Sequence, residues 1–343
     1  MKIIDRMKPI LVTGGTGYLA SWIVKLLLDE GHEVRITVRN LSQKDKYAYL
    51  TALAVKSKGI LQIYEADLLK NGSFNDAMKG CGLVIHTASP FIISGVKNAL
   101  KELIEPALEG TRNVLDSVNQ TESVERVVLT SSVVAVYGDA VDIAETESGI
   151  LTELNWNFSS SEEHQPYSYS KTLAEKLAWE MAEKQDRWDL LTINPGFIMG
   201  PSLSKRTDST SIDFMNQLAS GKFKPGVPSG KMGVVDVRDT AKAHILAGFN
   251  SNASGRHICV SGEKDFLDFA NVIRMRYPQY PLPKSYIPKW LFGDIAPMVG
   301  FIKKYVKLNV GIDLRFDNSY IRNDLGMEFI PFEKLFPTIS NSC

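Results

Sequence analysis

The sequence predicts an α/β fold: a doubly wound parallel sheet with a smaller C-terminal lobe. Three observations predict it. Short apolar runs alternate with longer helical patterns through the first two hundred residues. A glycine-rich turn joins the first apolar run to the first helix. After Asn194 the texture changes to a stretch rich in Pro, Ser, Gly and Lys. Such alternation gives parallel strands with helices on both faces and right-handed crossovers. Ligands on these sheets sit beyond the carboxyl ends of the strands, so the residues closing each strand are the ones to inspect.

The elements follow in order. Ile10–Thr13 is the first strand, and Gly14-Gly15-Thr16-Gly17 turns it into a helix over Tyr18–Glu30 with Trp22, Ile23, Leu26 and Leu27 at helical spacing. The turn reads G-x-x-G-x-x-A over Gly14, Gly17 and Ala20. Strand, glycines and helix in that order seat a dinucleotide pyrophosphate. The glycines bring the main chain close without a Cβ in the way, and the helix N-terminus offers N–H groups and partial positive charge. Thr13, Gly14, Gly17, Tyr18 and Leu19 are the candidate cradle, and the core reads as Rossmann-type. Further strands are expected at Glu33–Val38, Leu61–Glu65, Leu83–Thr87, Arg126–Ser131 and Leu190–Asn194. Helices are expected at Lys46–Lys56, Ser73–Met78, Ala99–Asn119 and Tyr167–Lys184. Beyond these come a strand over Met232–Val237 and helices over Asp239–Ala247 and Lys264–Met275. We read 1–196 and 233–260 as the dinucleotide-binding core, and 197–232 and 261–343 as a substrate-binding lobe.

The strand ends carry the candidates. The second strand closes on Arg39-Asn40, with Lys44 and Lys46 close behind. NAD enzymes usually place Asp or Glu here, about 20 residues past the glycines, to grip the ribose hydroxyls. A carboxylate repels a 2′-phosphate whereas a guanidinium binds it bidentately, so Arg39 and Lys44 point to NADP. The alternative for Arg39 is a solvated surface arginine. Asp67-Leu68, after the third strand, would lie beside the adenine, and Asp67 also suits a helix N-cap. The fourth strand ends in His86-Thr87-Ala88-Ser89-Pro90. Thr87, Ala88 and Ser89 are small enough for close approach to the cofactor phosphates. His86 lies in an apolar run and reads as a buried structural histidine rather than an acid or base.

The fifth strand ends in Leu129-Thr130-Ser131-Ser132, with hydroxyls toward the ligand crevice. Pro166 suits a first helical turn. Tyr167 and Lys171, four residues apart, share one helix face. A phenol ordinarily titrates near about 10. A neighbouring ammonium lowers that by about 1–3 units. Lys171 is therefore expected to prepare Tyr167 for proton exchange near neutral pH. Tyr169, with Leu173 four residues on, reads as packing.

Composition sets bounds. The 343 residues are 44% hydrophobic and 23% charged with formal net charge +0. No global field draws in nucleic acid or acidic lipid. Cys81, Cys259 and Cys343 have neither metal spacing nor a disulfide framework, which suits a reducing cytoplasm and a site without metal. No apolar signal region precedes the glycine turn, and no run reaches the roughly 18 apolar residues of a membrane span. The expected partner is a small carbonyl compound, and the expected state a monomer or weak homodimer. Ile287–Leu308, with Trp290, Leu291, Phe292, Met298, Val299, Phe301 and Ile302 ahead of Lys303, Lys304 and Lys307, reads as a lid, a cap or an interfacial helix. Phe91, Phe197, Ile198, Met199 and Phe223 either line a substrate pocket or pack the core.

Together the glycine turn, the Thr-Ser-Ser strand end and the Tyr-x-x-x-Lys helix resemble the extended branch of the short-chain dehydrogenase/reductase superfamily, over nearly the whole chain. Within that branch the chain is similar to the dihydroflavonol reductase-like group, of the microbial aldehyde and carbonyl reductase type. The resemblance rests on Val12–Trp22, Thr37-Val38-Arg39, His86–Phe91, Val124–Ser132, Tyr167–Trp179 and Asp236–Asp239. It implies NADPH-dependent reduction of an aldehyde or ketone to the alcohol. In that reading Tyr167 donates the proton, Lys171 assists it and holds the nicotinamide ribose, and both residues count among those that bind the cofactor. Ser132, with Ser131 as second choice, hydrogen-bonds the substrate carbonyl. Pro195-Gly196 borders the nicotinamide and offers backbone groups to its carboxamide. Cinnamoyl-CoA reductases carry Asn-Trp-Tyr-Cys-Tyr-Gly-Lys around this pair. Gln165–Lys171 keeps only the tyrosines and the lysine, so thioester reduction is not implied. Two other functions stay open on this scaffold. An NAD-dependent nucleotide-sugar epimerase or dehydratase is argued against by Arg39, and a non-catalytic dinucleotide sensor by the intact Tyr167/Lys171 pair.

Overall fold

The computed structural model describes residues 2–89, 98–204, 210–299 and 302–335. Its strands are β1 (Ile10–Thr13), β2 (Glu33–Val38), β3 (Ile60–Glu65), β4 (Leu83–His86), β5 (Arg126–Thr130), β6 (Asp189–Pro195), β7 (Phe197–Met199), β8 (Met232–Asp236), β9 (Gly255–Cys259) and β10 (Gly262–Lys264). Its helices are α1 (Tyr18–Asp29), α2 (Ala48–Lys56), α3 (Asn75–Met78), α4 (Glu105–Gln120), α5 (Pro166–Glu183), α6 (Thr210–Ala219), α7 (Val237–Phe249), α8 (Phe266–Arg276), α9 (Lys289–Ile295), α10 (Lys303–Asn309) and α11 (Ser319–Leu325).

Seven strands form one parallel sheet in the order β3-β2-β1-β4-β5-β6-β9. The β1 side chains alternate between two helical layers, as the two-residue period of a strand requires. Ile10 and Val12 join the cluster of α1 and α7, and Leu11 joins that of α3, α4 and α5. This is the expected doubly wound fold, and the strand order reverses between β1 and β4, where such sheets open a ligand crevice. Arg126, 0% exposed, locks β5 to its neighbours. It is bidentate to Asp189 of β6 at 2.8 and 2.9 Å, and donates to the Ala247 and Asn250 carbonyls at the end of α7.

A second, three-stranded sheet has the order β10-β8-β7, with β8 parallel to β7 and antiparallel to β10. Three-residue strands such as β7 and β10 are too short for a period to show in sequence. Strand β9 was also not foreseen, because Arg256 and His257 give it a polar reading although both are buried. Phe197 packs edge-on against Phe214 and Phe269, Phe223 packs against Phe214 and Phe266, and Met199 is fully buried. Met199 belongs to the core of this lobe, and Phe197 and Phe223, half-buried, pack against it. Helices α9 and α10 share a small cluster of Phe292, Ala296, Val306 and Val310, while Trp290 is 71% exposed. No helix among the described residues is long and apolar enough to cross a membrane. Pro90, Phe91, Phe301 and Cys343 lie outside the described residues.

Candidate active site

The glycine turn is shaped for a phosphate group. Gly14, at φ +64°, closes β1 in the left-handed region, and a Cβ there would stand 3.0 Å from the Cβ of Ala88. Strand β2 holds the turn open. The Gly14 N–H donates to Thr37 Oγ1 at 3.0 Å, and the Gly15 N–H to the Thr37 carbonyl at 3.2 Å. Gly17 is the N-cap of α1, with no side chain capping the helix and no acid in its first turn. The bare first-turn N–H groups and the positive dipole end suit a pyrophosphate.

Several predicted cradle residues use their side chains within the fold. Tyr18 donates its hydroxyl to the Gly200 carbonyl at 2.7 Å, and burial pushes its phenol pKa up. Leu19 is buried in the core. Both can therefore meet a cofactor only through the main chain. Thr13 Oγ1 accepts the Thr87 and Ala88 N–H groups at 3.2 and 3.1 Å and reaches His86 Nδ1 at 2.8 Å. With two N–H groups accepted, the Thr13 hydroxyl is left to donate to His86. Burial pushes His86 down to about 3, so it is neutral and structural, as its apolar surroundings predicted. Thr87 Oγ1 in turn donates to the Thr13 carbonyl at 2.6 Å.

At the end of β2, Arg39 is exposed, and its guanidinium has no hydrogen-bond or ion-pair partner among the described residues. Lys44 stands nearby, exposed, on a 3₁₀ turn. Glu65, paired with Val38 across β3, instead takes the Leu41 N–H at 2.9 Å. Exposed cations at positions 39 and 44, after β2, suit a 2′-phosphate. Asp67 caps no helix, which corrects one of its two readings. It lies well before α3 and accepts the Leu69 N–H at 2.9 Å in a local turn. The Leu68 carbonyl accepts Asn113 Nδ2 at 2.7 Å.

A cleft runs from Leu68 and Gly110 past Ala88 and Ser89 to Thr130 and Lys171. It crosses the carboxyl ends of β4 and β5, where a cofactor on this sheet belongs. Helix α5 forms its far wall. Lys171 Nζ donates to the Thr130 carbonyl at 3.2 Å. Burial pushes Lys171 down to about 8, partly opposed by the Glu175 carboxylate, and pushes Tyr167 up to about 12. The expected lowering of Tyr167 by Lys171 is therefore corrected. The cause is removal of the phenolate from water.

The two serines have different roles. Ser131 is buried and donates to Glu175 Oε2. Ser132 is half-buried, and its Oγ accepts the Val134 N–H at 3.3 Å, which leaves the O–H available to a ligand. Glu175 was missed in the sequence, although Tyr167, Lys171 and Glu175 repeat every four residues along α5. It is 1% exposed and pairs with Arg256 Nε at 2.6 Å. It also accepts from Thr192 and from Asn194 Nδ2, at 3.2 and 2.8 Å. Asn194 donates as well to the Ser132 carbonyl at 3.2 Å. Arg256 lies 3.8 Å over the Trp156 ring and donates to the Glu153, Asn155 and Ala135 carbonyls. This buried network fixes the β5 end and α5 relative to each other.

The Pro195-Gly196 expectation is corrected at one atom. The Gly196 N–H donates to the Cys259 carbonyl at 3.1 Å, so it is not offered to a carboxamide. A Cβ on Gly196 would stand 2.4 Å from the Gly233 carbonyl oxygen, so close contact between the two sheets demands glycine here.

The half-buried ammonium of Lys171 has a measurable consequence. Its folded pKa is about 8 against an ordinary 10.5, so the unfolded chain binds more protons between those values. Stability therefore rises with pH across that window. We expect Lys171→Met to be more stable than the parent near pH 7, with the gap closing as pH approaches 10. Melting curves over pH 6–10 check this, and a constant gap would contradict it.

Residues 10–261 match the NAD dependent epimerase/dehydratase family. The chain is 38% identical to cinnamoyl-CoA reductase CAD2 of Medicago truncatula, over 88% of this chain and 93% of that protein. It is 37% identical to tetraketide alpha-pyrone reductase 1 of Arabidopsis thaliana, over 95% and 92%. Among solved structures, Gre2 from Candida albicans in complex with NADPH is similar, with a TM-score of 0.75, 30% identity and coverage of 95% and 96%.

Proposed function

From the chain's membership of the NAD dependent epimerase/dehydratase family, in the extended short-chain dehydrogenase/reductase branch, we propose that it reduces an aldehyde or ketone to the alcohol with NADPH. The observation that carries this reading is the seating of Lys171 on the Thr130 carbonyl. Tyr167, four residues before Lys171, shares its helix face, and Ser132 lies two residues past Thr130. The curated relatives named as reductases and the NADPH-bound Gre2 support it.

Bound NADPH supplies the hydride from nicotinamide C4. The protein's own groups do the rest. Ser132 donates its free O–H to the substrate carbonyl oxygen and polarises it. Tyr167, with its pKa pushed up to about 12, stays protonated at physiological pH. It is thus loaded to protonate an alkoxide, a far stronger base than phenolate, and suits the reductive direction. Lys171 offers donors to the nicotinamide ribose. The first-turn N–H groups after Gly17 would hold the pyrophosphate, and Arg39 with Lys44 would hold the 2′-phosphate.

The unopposed Arg39 gives a specific expectation. Arg39→Asp lowers the preference for NADPH over NADH, measured as the ratio of kcat/KM values, by about 10²-fold or more, the loss of a charge-assisted bidentate contact plus new repulsion. An unchanged ratio would remove Arg39 from the cofactor site. The epimerase reading has its own signature, stoichiometric NAD in the purified protein, and we expect none.

A further inference from the structure

Helix α5 begins in an unusual way. Gln165, its N-cap, has φ 54° and ψ 54° and makes no side-chain cap to its own helix. It is the one non-glycine residue with positive φ among the described residues. That conformation is unfavourable for a long L side chain and persists only where the surroundings over-determine it. Here they do. Gln165 Nε2 donates to the Gly138 carbonyl at 2.7 Å and to Asp139 Oδ1 at 2.6 Å. Asp139, 2% exposed, is held in turn by His164 Nε2 at 2.7 Å and by Asn309 Nδ2 at 2.7 Å. Asn309, at the end of α10, closes the ring by accepting the Ala140 N–H at 2.8 Å. The loop itself cannot shift easily, since a Cβ on Gly138 would stand 2.4 Å from Ser159 Oγ and 2.5 Å from Asn157 Oδ1.

We infer that Gln165 is a positioning residue: the buried clamp Gln165–Asp139–Asn309 fixes where α5 starts, and so where the Tyr167 hydroxyl stands relative to Ser132. Its kinetic consequence rests on the reductase reading, whereas its geometric content does not. Two segments distant in sequence, Gly138–Ala140 and Asn309, converge on the cap, and Tyr167 lies two residues beyond it, in the first helical turn. No side chain caps the helix, and within that turn Ser168 Oγ reaches back to Gln165 Oε1 at 3.5 Å. Glycine at 165 keeps this φ without strain, so a clamp serving stability alone would lower the melting temperature through the lost bonds to Gly138 and Asp139 and leave Tyr167 in place. A clamp that positions Tyr167 would displace it.

Gln165→Gly and Asn309→Ala, each in the full chain, separate the two. Tyrosines are labelled with ¹³C at Cζ, and the Tyr167 resonance is assigned by its absence in Tyr167→Phe. Melting temperature, that resonance, and kcat and KM for NADPH are then measured. The expected result is a folded variant with a displaced Tyr167 resonance. Its kcat is reduced by about 10-fold to 10²-fold, the size of effect a small misplacement produces, with KM for NADPH unchanged. A displaced resonance in a chain whose wild type reduces no carbonyl keeps the clamp and removes the reductase reading. A folded variant with the Tyr167 resonance unmoved overturns the clamp, and should one variant fail to fold, the other decides.

Discussion

Tyr167→Phe lowers kcat for carbonyl reduction by about 10²–10⁴-fold, the range lost with a positioned general acid, while NADPH binding is retained. The reason is local. The substitution removes one hydroxyl and keeps the ring that packs in the first turn of α5, and the residues proposed for the phosphates, Gly14, Gly17, Arg39 and Lys44, lie on other elements. Stopped-flow reduction and NADPH fluorescence titration on the same preparations separate the two quantities. Loss of cofactor affinity equal to the loss of rate would assign Tyr167 to binding rather than proton transfer. The pKa of about 12 also bears on the pH profile of the parent enzyme. A donor that stays protonated below that value keeps kcat from falling through neutral pH into the mildly alkaline range on its account.

The second large effect is on stability. Arg256→Ala leaves Glu175 as a buried carboxylate without its ion-pair partner and leaves three backbone carbonyls without their guanidinium donor. Breaking a buried pair from one side costs about 3–5 kcal/mol. Urea unfolding of Arg256→Ala against the parent reads it, and a midpoint within error of the parent would show that Glu175 is sustained by its other donors alone. Glu175 lies between Lys171 and Ser131, so the same variant is expected to reduce activity before it unfolds.

The sequence reveals the parts of this site whose chemistry is carried by residue type at fixed spacing. The strand–glycine–helix order locates the cradle because only glycine suits Gly14. The four-residue spacing of Tyr167 and Lys171 places both on one helix face. Arg39 is legible because the absence of an acid at a strand end is itself a signal. What the sequence does not reveal depends on tertiary burial. Glu175 and Arg256 look like solvated charges until α5 and β9 are packed together. The conformation of Gln165 cannot be foreseen, since it is imposed by Asp139 and Asn309 from elsewhere in the chain. The direction of the Tyr167 shift is hidden for the same reason. The lysine four residues away is visible in sequence, whereas the desolvation that raises the phenol is not. The main sheet was largely foreseen from its apolar runs, whereas β7, β9 and β10 were too short or too polar to show.

The most direct test of the central claim is to follow the hydride. Wild-type protein is incubated with NADPH deuterated at nicotinamide C4 and a panel of aldehydes, diketones and aryl ketones, and the products are analysed by mass and NMR. The account predicts an alcohol carrying deuterium on the former carbonyl carbon, formed with NADPH in preference to NADH and suppressed in Tyr167→Phe. An enzyme that binds NADPH yet transfers deuterium to no carbonyl, or that is purified with tightly bound NAD, would contradict it.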